Sequence, residues 1–246
     1  MSLPVHLVPS LDGVGVGAVV RVEGDEAHHA VAVRRMRVGE ELVLTDGAGG
    51  LVVGVVEATG KRVLDVRVQS HEVLPEPQPS VTVVQALAKG ERGERAVEVL
   101  TEVGVARVVP WAAARSVAVW KGEREAKSLA RWRATAREAA KQSRRAWHPV
   151  VDELASTEDV RALVAAADLA VVLHEEASGS LAGVAVPESG TVVVVVGPEG
   201  GLTDDEVATL AGAGAHAVRL GSEVLRTSTA GLAAVAALLS RTPRWR

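Results

Sequence analysis

The chain has 246 residues, of which 48% are hydrophobic and 24% charged, and its formal net charge is −4. It contains no Cys, Phe or Tyr, which excludes disulfides, zinc–thiolate sites, thiolate nucleophiles and an RNA-stacking surface built on Phe and Tyr. No apolar run approaches the roughly 20 residues that cross a bilayer, and the first residues do not resemble a signal peptide, so we expect a cytoplasmic protein.

The first 74 residues are predicted to form a small β-barrel. Runs of β-branched residues alternate at close spacing with turn dipeptides such as Asp46-Gly47 and Thr59-Gly60, a pattern typical of short strands in a barrel. The predicted strands are Val14–Val22, Glu41–Thr45, Leu51–Glu57 and Val63–Val68. The segment 74–80 holds three prolines, which disfavour helix and central strand, so we predict domains of residues 1–74 and 75–246.

Strands and helices alternate after the proline-rich segment. Continuous apolar strands between helices predict the α/β class, with a mostly parallel sheet covered on both faces. The predicted strands are Val81–Leu87, Arg107–Trp111, Leu169–Leu173, Thr191–Val196 and His216–Leu220. The predicted helices are Glu94–Val103, Glu123–Ser143, Thr157–Ala167, Thr203–Ala211 and Thr229–Leu239.

The segment from Arg115 to Arg145 is basic within an acidic chain. It carries ten Lys or Arg against three Glu, a local charge of +7, so the rest of the chain carries −11. Such a segment either steers a polyanion to one face or is an ordinary solvated helix surface, and charge alone does not separate the two readings.

Candidate chemistry lies where predicted strands end, because ligands of open α/β sheets bind beyond the carboxyl ends of strands. The loop Gly197–Gly201 joins a buried strand to a helix whose start, Thr203–Glu206, fits a capping box. Its glycines let a ligand approach the backbone, although a tight turn without a ligand also fits. The spacing differs from G-x-G-x-x-G, and Glu199 would repel a pyrophosphate, which disfavours a dinucleotide loop. Arg226 precedes the last predicted helix, where it forms either an anion clamp or an ordinary surface ion pair.

Several segments together resemble the SPOUT methyltransferases, and within them the ribosomal small subunit methyltransferase E family. The resemblance rests on the segments GPEGGLTDDEV (197–207), LGSEVLRTSTAGLAAVAAL (220–238), GDEAHHAVAVRRMRVGEELVLTDGAGG (24–50), ALAKGERGERAVEVLTEVGV (86–105), ARSVAVWKGER (114–124) and REAAKQSRR (137–145). It implies S-adenosylmethionine-dependent methylation of N3 of a uridine in 16S rRNA, the family's uracil 1498. It also implies a PUA-like β-barrel, then a methyltransferase domain with a deep C-terminal trefoil knot, and a homodimer with active sites near the subunit interface.

The resemblance further implies a cofactor site built from three strand-end loops. The implied contacts of S-adenosylmethionine are Leu173, His174, Val196, Gly197, Pro198, Glu199, Gly200, Gly201, Leu220, Gly221, Ser222 and Leu225. N3 of uracil must lose a proton before it is methylated. We therefore predict that Arg226 stabilises the developing oxyanion and that Glu199 or water accepts the proton. Alternatively, the two side chains pair with each other and brace the loops.

Contacts with RNA are predicted in both parts of the chain, and an ordinary surface role stays open for each residue. The predicted contacts are Arg34, Arg35, Arg37, Arg115, Lys141, Arg144 and Arg145. Family members usually begin with Arg followed by aromatics, whereas this chain has Pro4-Val5-His6-Leu7. We predict no metal site, because His28-His29 lack a matching ligand cluster and would point apart on a strand. Methylation of another RNA position, a non-catalytic RNA-binding protein and a Rossmann-type nucleotide-dependent enzyme remain as alternatives.

Overall fold

The computed structural model describes residues 3–245, which form two compact units. The first unit comprises the chain up to Glu76 together with Lys141–His148, and the second comprises Pro77–Ala140 and the chain from Pro149 onward. The short segment Lys141–His148, which the sequence places in the second domain, therefore packs within the first unit. Among residues 3–245, no helix has both the length and the apolar character that crossing a membrane requires.

The first unit is built on a five-stranded mixed sheet in the order β1-β3-β4-β5-β2. Its strands are β1 (Val5–Leu7), β2 (Val19–Glu23), β3 (Glu41–Thr45), β4 (Gly50–Thr59) and β5 (Val63–Val73). β1 runs parallel to β3, and the remaining pairs are antiparallel. Alternate residues of β4 are buried, as expected for a sheet with one face on a core. The predicted PUA-like β architecture is confirmed.

A helical segment that the sequence analysis did not predict follows β2. It consists of α1 (Gly24–His28) and a π-helical turn over His29–Val33, and it buries Ala27 and Ala30. The predicted strand Val14–Val22 is wrong in extent, because the strand begins only at Val19. His28 and His29 both lie in helical turns, so the prediction that they point apart on a strand is also wrong.

Two half-buried titratable groups make the first unit sensitive to acid. Burial raises the pKa of Glu26, but hydrogen bonds and charge from His6 and Lys141 outweigh it and lower the pKa to about 2. Glu26 lies 2.7 Å from Nζ of Lys141 and 3.5 Å from Nδ1 of His6. Burial lowers the pKa of His148 to about 4, and the charges of Arg145 and Lys141 act in the same direction.

We predict that the unfolding free energy of the protein falls in two acidic ranges. In both ranges the unfolded chain binds more protons than the folded one. The first range lies between pH 6.5, the ordinary pKa of His, and about pH 4, the pKa of His148, and the second lies between pH 4.5, the ordinary pKa of Glu, and about pH 2, the pKa of Glu26. Denaturant titrations across this pH range measure the loss. Glu26→Gln should flatten the lower range, whereas Glu41→Gln, on an exposed position of β3, should leave it unchanged. An unchanged profile for Glu26→Gln would contradict this reading.

The second unit holds seven parallel strands in the order β10-β12-β9-β11-β6-β7-β8, which confirms the predicted α/β class. The strands are β6 (Ser80–Ala86), β7 (Arg107–Trp111), β8 (Val150–Val151), β9 (Leu169–Leu173), β10 (Gly179–Ser180), β11 (Thr191–Val196) and β12 (His216–Arg219). The helices are α2 (Arg92–Glu102), α3 (Glu123–Gln142), α4 (Thr157–Ala165), α5 (Asp204–Gly212) and α6 (Thr227–Leu239). The last two residues of α3 belong to the first unit.

Both faces of the parallel sheet are buried in separate apolar clusters. Val192, Val194 and Val196 of β11 pack in one cluster with residues of α2 and α6. Val193 and Val195 pack in the other cluster with residues of α4 and α5. This two-sided burial explains why β11 is a continuous apolar run instead of an alternating one.

The capping box predicted at the start of α5 is present. The Thr203 hydroxyl accepts from the Glu206 N–H at 3.2 Å, and a Glu206 carboxylate oxygen accepts from the Thr203 N–H at 2.9 Å. Losing such a cap costs about 1 kcal/mol. Thr203→Ala should therefore lower the unfolding free energy by about that amount, measured by denaturant titration. Thr209→Ala, at an exposed position within α5, is the control, and equal effects of the two variants would contradict the assignment.

Candidate active site

Three neighbouring strands of the parallel sheet end around one cavity. The loops after β9, β11 and β12 line it, and these strands are adjacent because the sheet order is β12-β9-β11. The cavity volume is about 330 Å³, which lies at the lower end of the range of roughly 300–1,000 Å³ for small-molecule sites. Its lining combines apolar side chains, such as Leu173, Val196 and Leu220, with main chain of glycine-containing loops.

All residues predicted to contact the cofactor line this cavity except Gly200. Those that line it are Leu173, His174, Val196, Gly197, Pro198, Glu199, Gly201, Leu220, Gly221, Ser222 and Leu225. A Cβ at Gly200 would lie 3.1 Å from both Cβ and the carbonyl oxygen of Arg115, so Gly200 packs against Arg115 instead of facing the cavity. Arg92, which lines the cavity from α2, was not among the residues predicted from the sequence.

The loop between β11 and α5 is fixed by short-range contacts. Gly201 adopts a φ of +71°, which favours glycine, and its N–H donates to the carbonyl of Pro198 at 3.0 Å. Nη1 of Arg115 donates to the carbonyl oxygens of Leu202 at 3.1 Å and of Gly200 at 3.4 Å. Arg115 was predicted as an RNA contact, and in the structure its guanidinium braces this loop.

A buried chain of hydrogen bonds connects the same loop to β6 and α6. Nε2 of Gln85 donates to Oγ1 of Thr227 at 3.0 Å, and Oγ1 of Thr227 donates to the carbonyl of Gly197 at 2.8 Å. Gln85 and Thr227 are both buried. The hydroxyl of Thr227 therefore fixes the cavity loop relative to the first turn of α6, directly after Arg226.

Glu199 is held by the connection between β6 and α2. Its Oε1 accepts from the Lys89 N–H at 3.1 Å and from Nη1 of Arg92 at 2.9 Å. Burial raises the pKa of Glu199, but hydrogen bonds from Arg92 and from main-chain N–H groups, together with the Arg92 charge, outweigh it and lower the pKa overall. Glu199 is thus a charged carboxylate whose partner is Arg92, and the alternative pairing with Arg226 does not occur.

Arg226 stands at the N-terminus of α6 with its side chain exposed at the cavity. Its carbonyl accepts from the N–H groups of Thr229 and Ala230, both at 2.9 Å, which fixes the backbone. Within residues 3–245, no hydrogen bond or ion pair engages its guanidinium. A cation available beside the positive end of a helix can stabilise negative charge on a bound molecule.

The other predicted RNA contacts lie in the first unit. Arg34, Arg35 and Arg37 are exposed after the π-helical turn, and Arg144 is exposed after α3. Arg145 is half-buried. Lys141 is engaged by Glu26, and only 10% of its side chain is exposed, which leaves little of it for an RNA contact. In the part of the chain that the structure describes, no three His, Asp or Glu side chains are grouped to hold a metal ion.

Comparison with known proteins finds likeness along nearly the whole chain. Residues 75–239 match the model of an RNA methyltransferase domain, and residues 22–69 match that of an RNA methyltransferase PUA domain. The chain is 51% identical over 233 residues to ribosomal RNA small subunit methyltransferase E of Mycobacterium tuberculosis, covering 93% of this chain and 89% of that protein. It is 31% identical over 229 residues to the Bacillus subtilis protein of the same name, covering 90% of each.

A solved structure shows the same likeness. The crystal structure of a ribosomal RNA small subunit methyltransferase E from Neisseria gonorrhoeae bound to S-adenosyl methionine aligns with a TM-score of 0.86 at 28% identity. The alignment covers 97% of this chain and 98% of that one. The likeness therefore includes the cavity, the sheet that forms it and the N-terminal unit.

Proposed function

Because the chain belongs to the ribosomal RNA small subunit methyltransferase E family, we propose that it uses S-adenosylmethionine to methylate N3 of a uridine in 16S rRNA, the family's uracil 1498. The observation that carries the proposal is the available Arg226 guanidinium at a cavity formed by three strand-end loops. We further propose, from the resemblance, that the C-terminal segment is knotted and that the protein acts in the cytoplasm as a homodimer.

The residues of the cavity fit S-adenosylmethionine, a ligand that has an apolar ring face and carries charges of both signs. Leu173, Val196 and Leu220 offer apolar surface for an adenine ring, and the adjacent loops offer main-chain polar groups. The lining also includes acidic residues such as Glu175 and basic residues such as Arg219. The bound cofactor supplies an electrophilic methyl group on a positively charged sulfur.

The chain's own residues then have three tasks in the methylation. The strand-end loops hold the donor and the uracil in line, and alignment of this kind contributes several kcal/mol to catalysis. Arg226 donates hydrogen bonds to the uracil oxygen on which negative charge grows as N3 loses its proton. We assign acceptance of that proton to water, because Glu199 is already engaged by Arg92 and Lys89 and has a lowered pKa. Attack through C6 by a thiolate is excluded, because the chain has no Cys.

If water accepts the proton, Glu199→Gln should lower turnover by less than about tenfold. The amide oxygen still accepts from the Lys89 N–H, and the partly exposed ion pair with Arg92 is worth about 0–1 kcal/mol. Steady-state kinetics on small ribosomal subunits measure the effect, and Arg92→Gln should give a loss of similar size. A loss above about 100-fold with unchanged cofactor affinity would instead make Glu199 the proton acceptor.

Mapping of modified nucleosides by mass spectrometry tests the proposed reaction. Small subunits from a strain that lacks the gene would be incubated with the protein and isotope-labelled S-adenosylmethionine, and 16S rRNA would be digested. We expect label only in 3-methyluridine from the segment around position 1498. Label in another nucleoside or segment would favour a methyltransferase for another RNA position, and RNA binding without label would favour a non-catalytic RNA-binding protein.

A further inference from the structure

A second, larger cavity lies in the same unit, beside the connection between β6 and α2. Its volume is about 610 Å³, and it is lined by that connection, by residues before α3 and by the first half of α3. Arg92 lines the cofactor cavity, while its neighbours Glu91 and Gly93 line the second one. Consecutive residues of one short segment therefore line the two cavities, which we call the cofactor cavity and the α3 groove.

A row of cations from α3 forms one wall of the α3 groove. Arg124, Lys127 and Arg131 stand at positions i, i+3 and i+7, which places them on one face of the helix. Among residues 3–245, no hydrogen bond or ion pair engages Arg124, and its side chain is exposed. These three residues belong to the basic segment that the sequence analysis identified, but none of them was among its predicted RNA contacts.

Lys127 and Arg131 each form an ion pair, but both pairs are weak enough to leave the two cations available. Lys127 is 75% exposed, and its pair with Glu123 is 3.4 Å long and fully on the surface. Arg131 is 67% exposed and pairs with Glu94 at 3.2 Å. Pairs of this kind are worth about 0–1 kcal/mol, so a phosphate can replace the carboxylates at small cost. The remaining acidic residue of the groove is Glu91.

The floor of the α3 groove is formed by buried aromatic side chains. The indoles of Trp120 and Trp132 meet edge to face with ring centroids 5.1 Å apart, and both are buried. α2 packs directly on this floor, because a Cβ at Gly93 would lie 2.7 Å from Cζ2 of Trp132. Gly90 has a φ of +65° and no neighbouring atom within 4 Å of where its Cβ would be, so main chain is accessible at the edge between the two cavities.

We propose that the α3 groove binds the single-stranded RNA backbone next to the target uridine. Arg124, Lys127 and Arg131 contact its phosphates, and the uridine reaches the cofactor cavity across the segment Lys89–Arg92. Contacts of this kind fix the position of an RNA without reading its sequence. This inference rests on the proposed function, which identifies the ligand as RNA. The charge and position of the groove support it whichever atom of the RNA is methylated.

Salt dependence of RNA binding by the variant R124Q/K127Q tests the inference. Each phosphate contact to single-stranded nucleic acid adds about 0.7 to the magnitude of the slope of log K against log salt concentration. With a fluorescein-labelled oligouridylate as probe, between about 50 and about 300 mM salt, the variant's slope should therefore be smaller than that of the wild type by about 1.4. With small ribosomal subunits as substrate, KM should rise, whereas kcat and the Kd for S-adenosylmethionine should stay within about twofold.

The matched control is R95Q/R161Q, which likewise removes two exposed cations, here two ion-paired arginines, but leaves both cavities untouched. Equal slopes for R124Q/K127Q and this control would overturn the inference. A higher KM for small subunits without any change in oligouridylate binding would also overturn it, because the groove would then contact a ribosomal protein. If the wild type transfers no methyl group, the proposed function fails, while the oligouridylate slopes still decide whether the groove binds RNA.

Discussion

Arg226→Ala is expected to lower turnover on small ribosomal subunits by a factor of about 10² to 10³ while the Kd for S-adenosylmethionine changes by less than about threefold. The Arg226 guanidinium lines the cavity, has no hydrogen-bond or ion-pair partner within residues 3–245, and stands beside the N-terminus of α6. Its positive charge stabilises the uracil oxygen most strongly when that oxygen becomes negative, and this happens only as the reaction approaches the transition state. Single-turnover kinetics and calorimetry with the cofactor separate the two quantities.

Two further variants sharpen the test of Arg226. Arg226→Lys keeps the charge but loses the planar fork of donors, so it should recover only part of the activity. Arg161→Ala removes an exposed arginine of α4 that lies outside both cavities, and it should behave as the wild type. Equal loss of turnover and cofactor affinity in Arg226→Ala, or no loss of either, would reject the assigned role.

Thr227→Val should weaken binding of S-adenosylmethionine by about 10- to 100-fold. Valine matches threonine in shape but cannot bond Gln85 or Gly197, so the buried Gln85 amide loses one of its two acceptors and the part-buried Gly197 carbonyl loses its hydroxyl donor. Each such group costs about 1–3 kcal/mol, part of which appears as a loosened cavity loop. Calorimetric titration with the cofactor measures the effect, and denaturant titration should show a lower unfolding free energy.

Thr227→Ser provides the matched control for the hydroxyl. It retains Oγ and should restore most of the affinity, because both hydrogen bonds can form. Cofactor binding by Thr227→Val at wild-type strength, with the protein folded, would show that the chain of hydrogen bonds does not position the cavity loop. If the valine variant does not fold, Gln85→Leu removes only the bond from β6 and should give a smaller loss of affinity.

The helices and strands of the α/β unit could be predicted because their sequence patterns are strong and local. β11 is buried on both faces, which produces an unbroken apolar run, and α5 begins with a complete capping box. β8 and β10 contain two residues each, too few to show any periodicity. The helical segment after β2 escaped prediction because Val31 and Val33 favour strands and only Ala27 and Ala30 are buried.

The partners within the candidate site were not predictable, because they depend on strand order. Arg92 and Glu199 are 107 positions apart in the sequence and meet because β6 lies beside β11. Glu26 and Lys141 are separated by 115 positions, and nothing in either local segment indicates the other. The loop after β11 could be recognised in the sequence by its glycines, whereas the hydrogen-bond partners of Glu199 could be identified only from the structure.

A crystal structure of the protein with S-adenosylmethionine tests the central claim most directly. We predict that the cofactor lies in the cavity formed by the loops after β9, β11 and β12, against main chain of residues 196–199, 201 and 220–225, and that the segment containing α6 is threaded through a loop. A cofactor bound elsewhere, or a C-terminal segment that is not threaded, would contradict the account.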